Sequence, residues 1–124
     1  MQQPKHMILL YVSDPIASLK FYEMVLGTKA IDQSPTFAML PFNESTILGL
    51  WIESGVKPKA TATAGATELA FQVDDRAAVD STFKQWKAKD VVMSLDPTKL
   101  DFGYTFVGID PDGHRLRVFT PEQP

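Results

Sequence analysis

Few residues in this chain can do chemistry. There is no cysteine, and the histidines are His6 and His114. Disulfides, thiolate chemistry and sulfur-ligated metals are therefore excluded. The remaining candidates are a carboxylate and two arginines. Glu68 opens the apolar run E-L-A-F-Q-V, and Arg115 and Arg117 stand two apart in H-R-L-R-V-F. A carboxylate placed this way can bind a divalent ion or act as a general base. A guanidinium can hold an anionic group through two parallel hydrogen bonds. Around them is a set of aromatic and soft apolar side chains suited to a flat apolar ligand: Met7, Tyr11, Met39, Trp51, Tyr104, Phe106 and Phe119. Which of these meet depends on the strands that carry them.

The bulk composition sets bounds on the answer. A length of 124 residues suggests one compact domain, and 44% hydrophobic with 22% charged residues is ordinary for a soluble protein. The net charge of −3 leaves no basic footprint for nucleic acid. The N-terminal apolar run is too short for a signal peptide, and no later run can span a membrane, so a cytoplasmic location is expected.

The first strand is Met7–Val12. Asp14 is placed to cap a helix, with Pro15 at its first position. The helix is expected to run to about Leu26, burying Ile16, Leu19, Tyr22 and Leu26, and Gly27 ends it. Three short strands follow, at about Lys29–Asp32, Thr36–Phe42 and Thr46–Ile52, with a turn at Asn43-Glu44-Ser45. Glu53–Thr67 is rich in Gly, Ala, Thr and Pro and reads as a connector with little to bury. The pattern then restarts. Glu68–Val73 is a strand, and Asp74-Asp75 caps a helix to about Lys89 whose inner stripe is Val79, Phe83 and Trp86. Val91–Leu95 is a short strand, and Asp96–Leu100 reads as a loop. In Gly103–Phe119, Asp110-Pro111-Asp112-Gly113 is a turn between alternating strands.

The two halves superpose at an offset of 61 positions. Val12 matches Val73, Asp14 matches Asp75, Leu10 matches Phe71 and Tyr22 matches Phe83. Each half reads β-α-β-β-β, so the chain is a duplicated unit. Module one spans about 5–53, the connector about 54–66 and module two about 67–121. Strand alternation then assigns faces. Leu69, Phe71 and Val73 are the apolar set and pack on the helix, as do Ile8, Leu10 and Val12. Met7, Leu9 and Tyr11 take the opposite face, with Glu68, Ala70 and Gln72. In the last strand, Leu116 and Val118 face the helix, and Arg115, Arg117 and Phe119 face away. If the four-residue turn closes with Ile109 opposite His114, then Phe106 and Tyr104 join that second face. Aligning the two hairpins pairs Gly49 with Arg117 and Trp51 with Phe119. The second face would then be aromatic-lined with a few charges, as small-molecule sites are. The same side chains would also suit a core between half-sheets or a dimer interface.

The duplication, the V-x-D-P-x-x-S-x-x-F-Y run (Val12–Tyr22) and the D-P-D-G-H-x-L-x-V-F run (Asp110–Phe119) together resemble the vicinal oxygen chelate superfamily. This family contains glyoxalases, extradiol dioxygenases, and fosfomycin- and bleomycin-resistance proteins. The resemblance covers essentially the whole chain, 1–124. It implies an α+β fold in which two tandem βαβββ modules form a cup-shaped mixed sheet with helices outside, and it implies a homodimer. Catalytic members hold a divalent metal on three or four His or Glu side chains. The matching positions here are Met7, about Gly49, Glu68 and Arg117, of which only Glu68 can ligate. A guanidinium at a metal position repels a divalent cation. His6 lies one residue from the family position and so on the opposite strand face, and His114 belongs with Leu116. The reading is therefore no metal, no cofactor and no catalytic residue.

Ser34–Met39, Leu48–Trp51 and Asp101–Phe106 further resemble phenazine-type antibiotic-resistance proteins. That likeness implies sequestration of a planar aromatic molecule. The expected binding residues are Trp51, Arg117, Glu68, Tyr104, Phe106, Phe119, Met7, Tyr11, Met39 and Gly49. Arg117 has two open roles, as the receptor for a ligand carboxylate and as the structural partner of Glu68. The alternatives are a metal-dependent lyase or oxidoreductase of the glyoxalase or dioxygenase kind, using His6 and Glu68, and a metal-free enzyme with Glu68 as base.

Overall fold

A computed structural model describes residues 6–124. Position 5, where the first module was expected to begin, lies outside them. The fold is α+β, and the chain divides into two compact units between Gly65 and Ala66. In the first unit, β1 (His6–Val12), α1 (Pro15–Leu26), β2 (Asp32–Gln33), β3 (Phe37–Pro41) and β4 (Thr46–Ile52) follow in order, and a single 3-10 turn covers Glu53–Gly55. In the second, β5 (Glu68–Gln72) leads to α2 (Arg76–Ala88) and then to β6 (Val92–Leu100), β7 (Gly103–Ile109) and β8 (Arg115–Pro121). The sheet orders are β1-β4-β3-β2 and β5-β8-β7-β6, so the same topology occurs twice. In each, the first strand runs parallel to the last, and the other pairings are antiparallel.

The helix ends follow from local chemistry. Asp14 Oδ1 accepts the amides of Ile16 and Ala17, and Asp75 Oδ1 accepts that of Ala78. Each carboxylate satisfies N–H groups that the first turn leaves without a helical partner. Gly27 closes α1 in the left-handed conformation, φ 69°, which costs glycine least. The inner side of α1 is Pro15, Ser18, Leu19 and Tyr22. Ile16 and Leu26, expected in that stripe, are only half-buried.

In the first unit Leu10, Val12, Ala38, Leu40, Leu48 and Leu50 are buried with Leu19 and Tyr22. In the second, Leu69, Val79, Trp86, Val91, Phe106, Leu116 and Val118 are buried. Trp86 meets Phe71 and Phe106 edge-on, at centroid distances of 6.1 and 5.4 Å. Of these, Leu10, Val12, Leu69, Leu116 and Val118 are residues that alternation assigned to the helix side, whereas Phe106 was assigned to the other face.

The register of the last hairpin puts Phe106 on the helix side instead. Phe106 pairs with Val118, Tyr104 with Thr120 and Ile109 with Arg115, one step from the expected register. A one-residue slip turns every side chain of a strand to the other face. Asp110 N–H donates to the His114 carbonyl, and Gly113 N–H donates to that of Asp110. The loop is therefore three residues long, with Gly113 at φ 92°, the hairpin form that ends in a left-handed residue. Asp110 Oδ1 also accepts the amides of Asp112 and His114, which holds the turn in this form. Phe106 and Tyr104 thus face α2, and Thr105 and Val107 take the opposite face.

Two boundaries also differ. The second strand is shorter than Lys29–Asp32 and lies at Asp32–Gln33. Asp96–Leu100 is not a loop, because β6 continues through it with register shifts between Met93 and Leu95 and between Leu95 and Thr98. This is an edge strand, where a proline such as Pro97 is tolerated. The connector is not wholly passive either, since Val56 is buried.

Phe106 has no exposed surface and packs on Phe83 and Trp86. Phe106→Ala is expected to destabilise the protein by about 3–5 kcal/mol, read from urea unfolding. A variant of near-native stability would restore the expected register.

Candidate functional site

In the first unit, the face turned away from α1 carries Met7, Leu9 and Tyr11 from β1, Phe37 and Met39 from β3, and Gly49 and Trp51 from β4. The pairings Leu9–Gly49–Met39 and Tyr11–Trp51–Phe37 set these side by side across three strands. Met7, Leu9, Phe37 and Trp51 line an apolar hollow of about 420 Å³, within the ~300–1,000 Å³ usual for small-molecule sites. Tyr11 and Met39 share the face but are not among its lining residues. Met7 and Leu9 are 46% and 42% exposed, unusually open for side chains of this kind. Phe37 and Trp51 meet edge to face, with centroids 6.3 Å apart at 86°. Phe37 was not among the expected site residues, although strict alternation from Met39 would have placed it there.

Gly49 shapes this hollow. A Cβ at that position would sit 2.5 Å from Leu9 Cδ2 and 3.2 Å from Phe37 Cζ. Both side chains lean into the space that glycine leaves. A larger hollow of about 520 Å³ lies along the connector, lined by Glu53, Ser54, Val56, Lys57, Lys59 and Ala60. Its walls carry no aromatic ring, so it offers a flat ligand nothing to stack on.

In the second unit, the corresponding face is polar. Arg117 Nε donates to Glu68 Oε2 at 3.1 Å and Nη2 donates to Oε1 at 3.4 Å. Nη1 lies 3.4 Å from Thr105 Oγ1. The Phe102 ring is 5.6 Å from the guanidinium carbon and meets Phe119 edge-on at 6.1 Å. Phe102 was also missed. It sits in the β6–β7 turn, where strand alternation gives no signal. Arg115, on the same strand face as Arg117, is exposed.

Tyr104 and Phe106 do not belong to this face. Tyr104 Oη donates to Asp80 Oδ1 of α2 at 2.8 Å, and Arg76 lies 4.5 Å over its ring. The hydrogen bond to Asp80, helped by burial, raises the phenol pKa above its usual value.

Phe102 is held from behind. Its carbonyl accepts the Glu122 amide. The Glu122 carboxylate takes Arg76 Nε at 2.6 Å and Nη2 at 2.8 Å, with Lys99 Nζ at 3.3 Å. The Arg76 hydrogen bonds, and then Lys99, hold the Glu122 carboxyl well below its usual range, at about 2.

The donor set does not fit a metal ion. Of the four positions that a catalytic relative would use, Met7 is a pocket wall, Gly49 has no side chain, and Glu68 and Arg117 hold each other. His6 begins β1, and the pairing of β1 with β4 runs unbroken from His6–Thr46 to Val12–Ile52. No bulge therefore turns His6 onto the Met7 face. His114 is buried, with Nδ1 2.8 Å from Asp110 Oδ2. Among the described residues, no group of three or more His, Cys, Asp or Glu side chains is arranged to hold a metal.

The repeated topology and the two capped helices define a glyoxalase-type α+β protein. The chain belongs to the glyoxalase/bleomycin resistance protein/dioxygenase superfamily, whose family model matches residues 5–118. It is 26% identical over 113 residues to the phenazine antibiotic resistance protein EhpR of Enterobacter agglomerans, covering 89% of this chain and 86% of that one. It is 44% identical to an Agrobacterium tumefaciens protein solved by solution NMR, with a TM-score of 0.80 over 98% of this chain and 99% of the other. A lactoylglutathione lyase from the same organism shares the fold at 18% identity, with a TM-score of 0.74 over 96% and 94% of the two chains.

Two outcomes test this geometry. Gly49→Ala is expected to cost about 1 kcal/mol or a little more of stability, because Leu9 and Phe37 must shift. A crystal structure of the variant should show a narrower hollow, and an unchanged hollow would contradict the packing. Because the folded Glu122 pKa is depressed, its stabilisation is present above the ordinary value of 4.5 and is lost as pH falls through about 2. Thermal melts of Glu122→Gln from pH 6 to 2 should therefore start lower than wild type and fall less steeply across that window.

Proposed function

We propose that this chain is a non-catalytic binding protein that sequesters a planar aromatic small molecule of phenazine type, working in the cytoplasm as a homodimer. One vicinal oxygen chelate domain, residues 1–124, would carry the activity. The observation that carries this reading is the apolar hollow walled by Met7, Leu9, Phe37 and Trp51. Phe37 and Trp51 offer a ring edge and a ring face at right angles, the preferred geometries for another aromatic ring. Met7 and Met39 are adaptable apolar side chains beside them, and Gly49 leaves the room that Leu9 and Phe37 lean into. Tyr11 extends the aromatic surface along β1. Arg117 and Glu68 supply charge on the other unit, with Phe119 beside them. The name of the Enterobacter relative points to the same ligand class. In place of the family's metal ligands are Met7, Gly49 and an arginine, which suit a binder better than a catalyst.

The chain has a built-in optical probe. Its tryptophans are Trp51 and Trp86, and Trp86 is buried against Phe71 and Phe106, so it serves as an internal reference. Phenazine and phenazine-1-carboxylate are expected to quench Trp51 emission saturably. Trp51→Ala should raise Kd by about 10–100-fold, each tenfold corresponding to ~1.4 kcal/mol. Absence of quenching up to high micromolar ligand would refute the proposal.

A further inference from the structure

We infer that the face of the second sheet turned away from α2 is a receptor for an aromatic monocarboxylate, built from Arg117, Phe102 and Phe119, with Glu68 as the resident competitor for the guanidinium. This deepens the binding reading above and rests on it only for the class of ring. It uses no residue of the apolar hollow in the first unit.

Arg117 and Glu68 meet through two nitrogens and two oxygens, the arrangement that an arginine makes with any carboxylate. Their distances of 3.1 and 3.4 Å exceed the ~2.7–2.9 Å of a tight charge-assisted pair. The arginine side chain is mostly covered, at 17% exposed, whereas Glu68 is 39% exposed. Glu68 can therefore swing into water at little cost while the guanidinium stays in place. Thr105 helps to hold it, with Oγ1 3.4 Å from Nη1 while that hydroxyl donates to the Val118 carbonyl.

The second observation is Phe102. It is 46% exposed, in a turn, and yet it is positioned. Its carbonyl is bound by the Glu122 amide, and Glu122 is clamped by Arg76 and Lys99. Its ring lies over Arg117 and edge-on to Phe119. A planar acid that placed its carboxylate where the Glu68 oxygens now sit would bring its ring alongside both phenylalanines. The exchange replaces one carboxylate by another and needs no proton transfer. A small inorganic anion would gain nothing from Phe102 and would not outcompete a tethered carboxylate. Glu68 thus acts as a specificity determinant that admits an acid only when a ring comes with it.

The test uses calorimetric titration of the full chain with 2-naphthoate and phenazine-1-carboxylate, and with uncharged phenazine as control. Circular dichroism verifies that each variant is folded. Glu68→Gln is expected to tighten binding of both acids about tenfold relative to uncharged phenazine. Glu68→Ala should do the same, which covers the case in which the glutamine amide still holds Arg117. Arg117→Gln should abolish the preference for acids, and Phe102→Ala should weaken them. Acid binding that is unchanged or weaker in both Glu68 variants overturns the inference, as does a preference for acids that survives Arg117→Gln or an absence of acid binding in every variant. Failure of the sequestration reading would look different, since uncharged phenazine would then leave Trp51 emission unquenched while the Glu68 effect remained.

Discussion

A helix laid on one face of a four-stranded sheet commits alternate residues of every strand to the core and the rest to the opposite face. Everything informative about this protein depends on that division. In the first unit, Leu10, Val12, Leu48 and Leu50 go under α1, so Met7, Leu9 and Trp51 are available on the other side. In the second, Leu116 and Val118 go under α2, which leaves Arg117 and Phe119 facing away. Because the period is two residues, the assignment has no intermediate state. A strand in the wrong register puts its whole set of side chains on the wrong face.

The two faces left over have different chemistry on the same topology. One is an apolar hollow in which Leu9 and Phe37 close over the space left by Gly49. The other carries an arginine at the equivalent place, bound to a glutamate and overhung by a phenylalanine. A duplicated module thus supplies two versions of one position, one empty and one charged. The fold accepts both because each lies away from the helix and contributes nothing to that core. The same freedom lets the family include enzymes and resistance proteins. A lactoylglutathione lyase shares this fold at 18% identity with the chain.

Much of the architecture was legible in residue order. The caps at Asp14 and Asp75, the stop at Gly27, the 61-residue repeat and the helix-facing sides of β1 and β5 all follow from short-range rules. So does the alternation of β8, and with it the directions of Arg117 and Phe119. The site was legible only in part. Met7, Gly49 and Trp51 share one face, and so do Glu68 and Arg117. Tyr104 and Phe106 were assigned to a face they do not occupy, and Phe37 and Phe102 were overlooked.

The misplacement has one source. Asp110-Pro111-Asp112-Gly113 announces a turn, but not how many of its residues stay unpaired. Asp110 pairs with His114, and that single extra pair moves Phe106 from the open face into the core. The sequence alone determined where the chain turns and which residues alternate together, because backbone sterics and capping act over a few positions. Tertiary structure decided which strand residue lies opposite which. It thereby set Glu68 against Arg117, Leu9 over Gly49 and Phe102 beside both arginine and Phe119, since those meetings require segments distant in sequence to pack at one definite register.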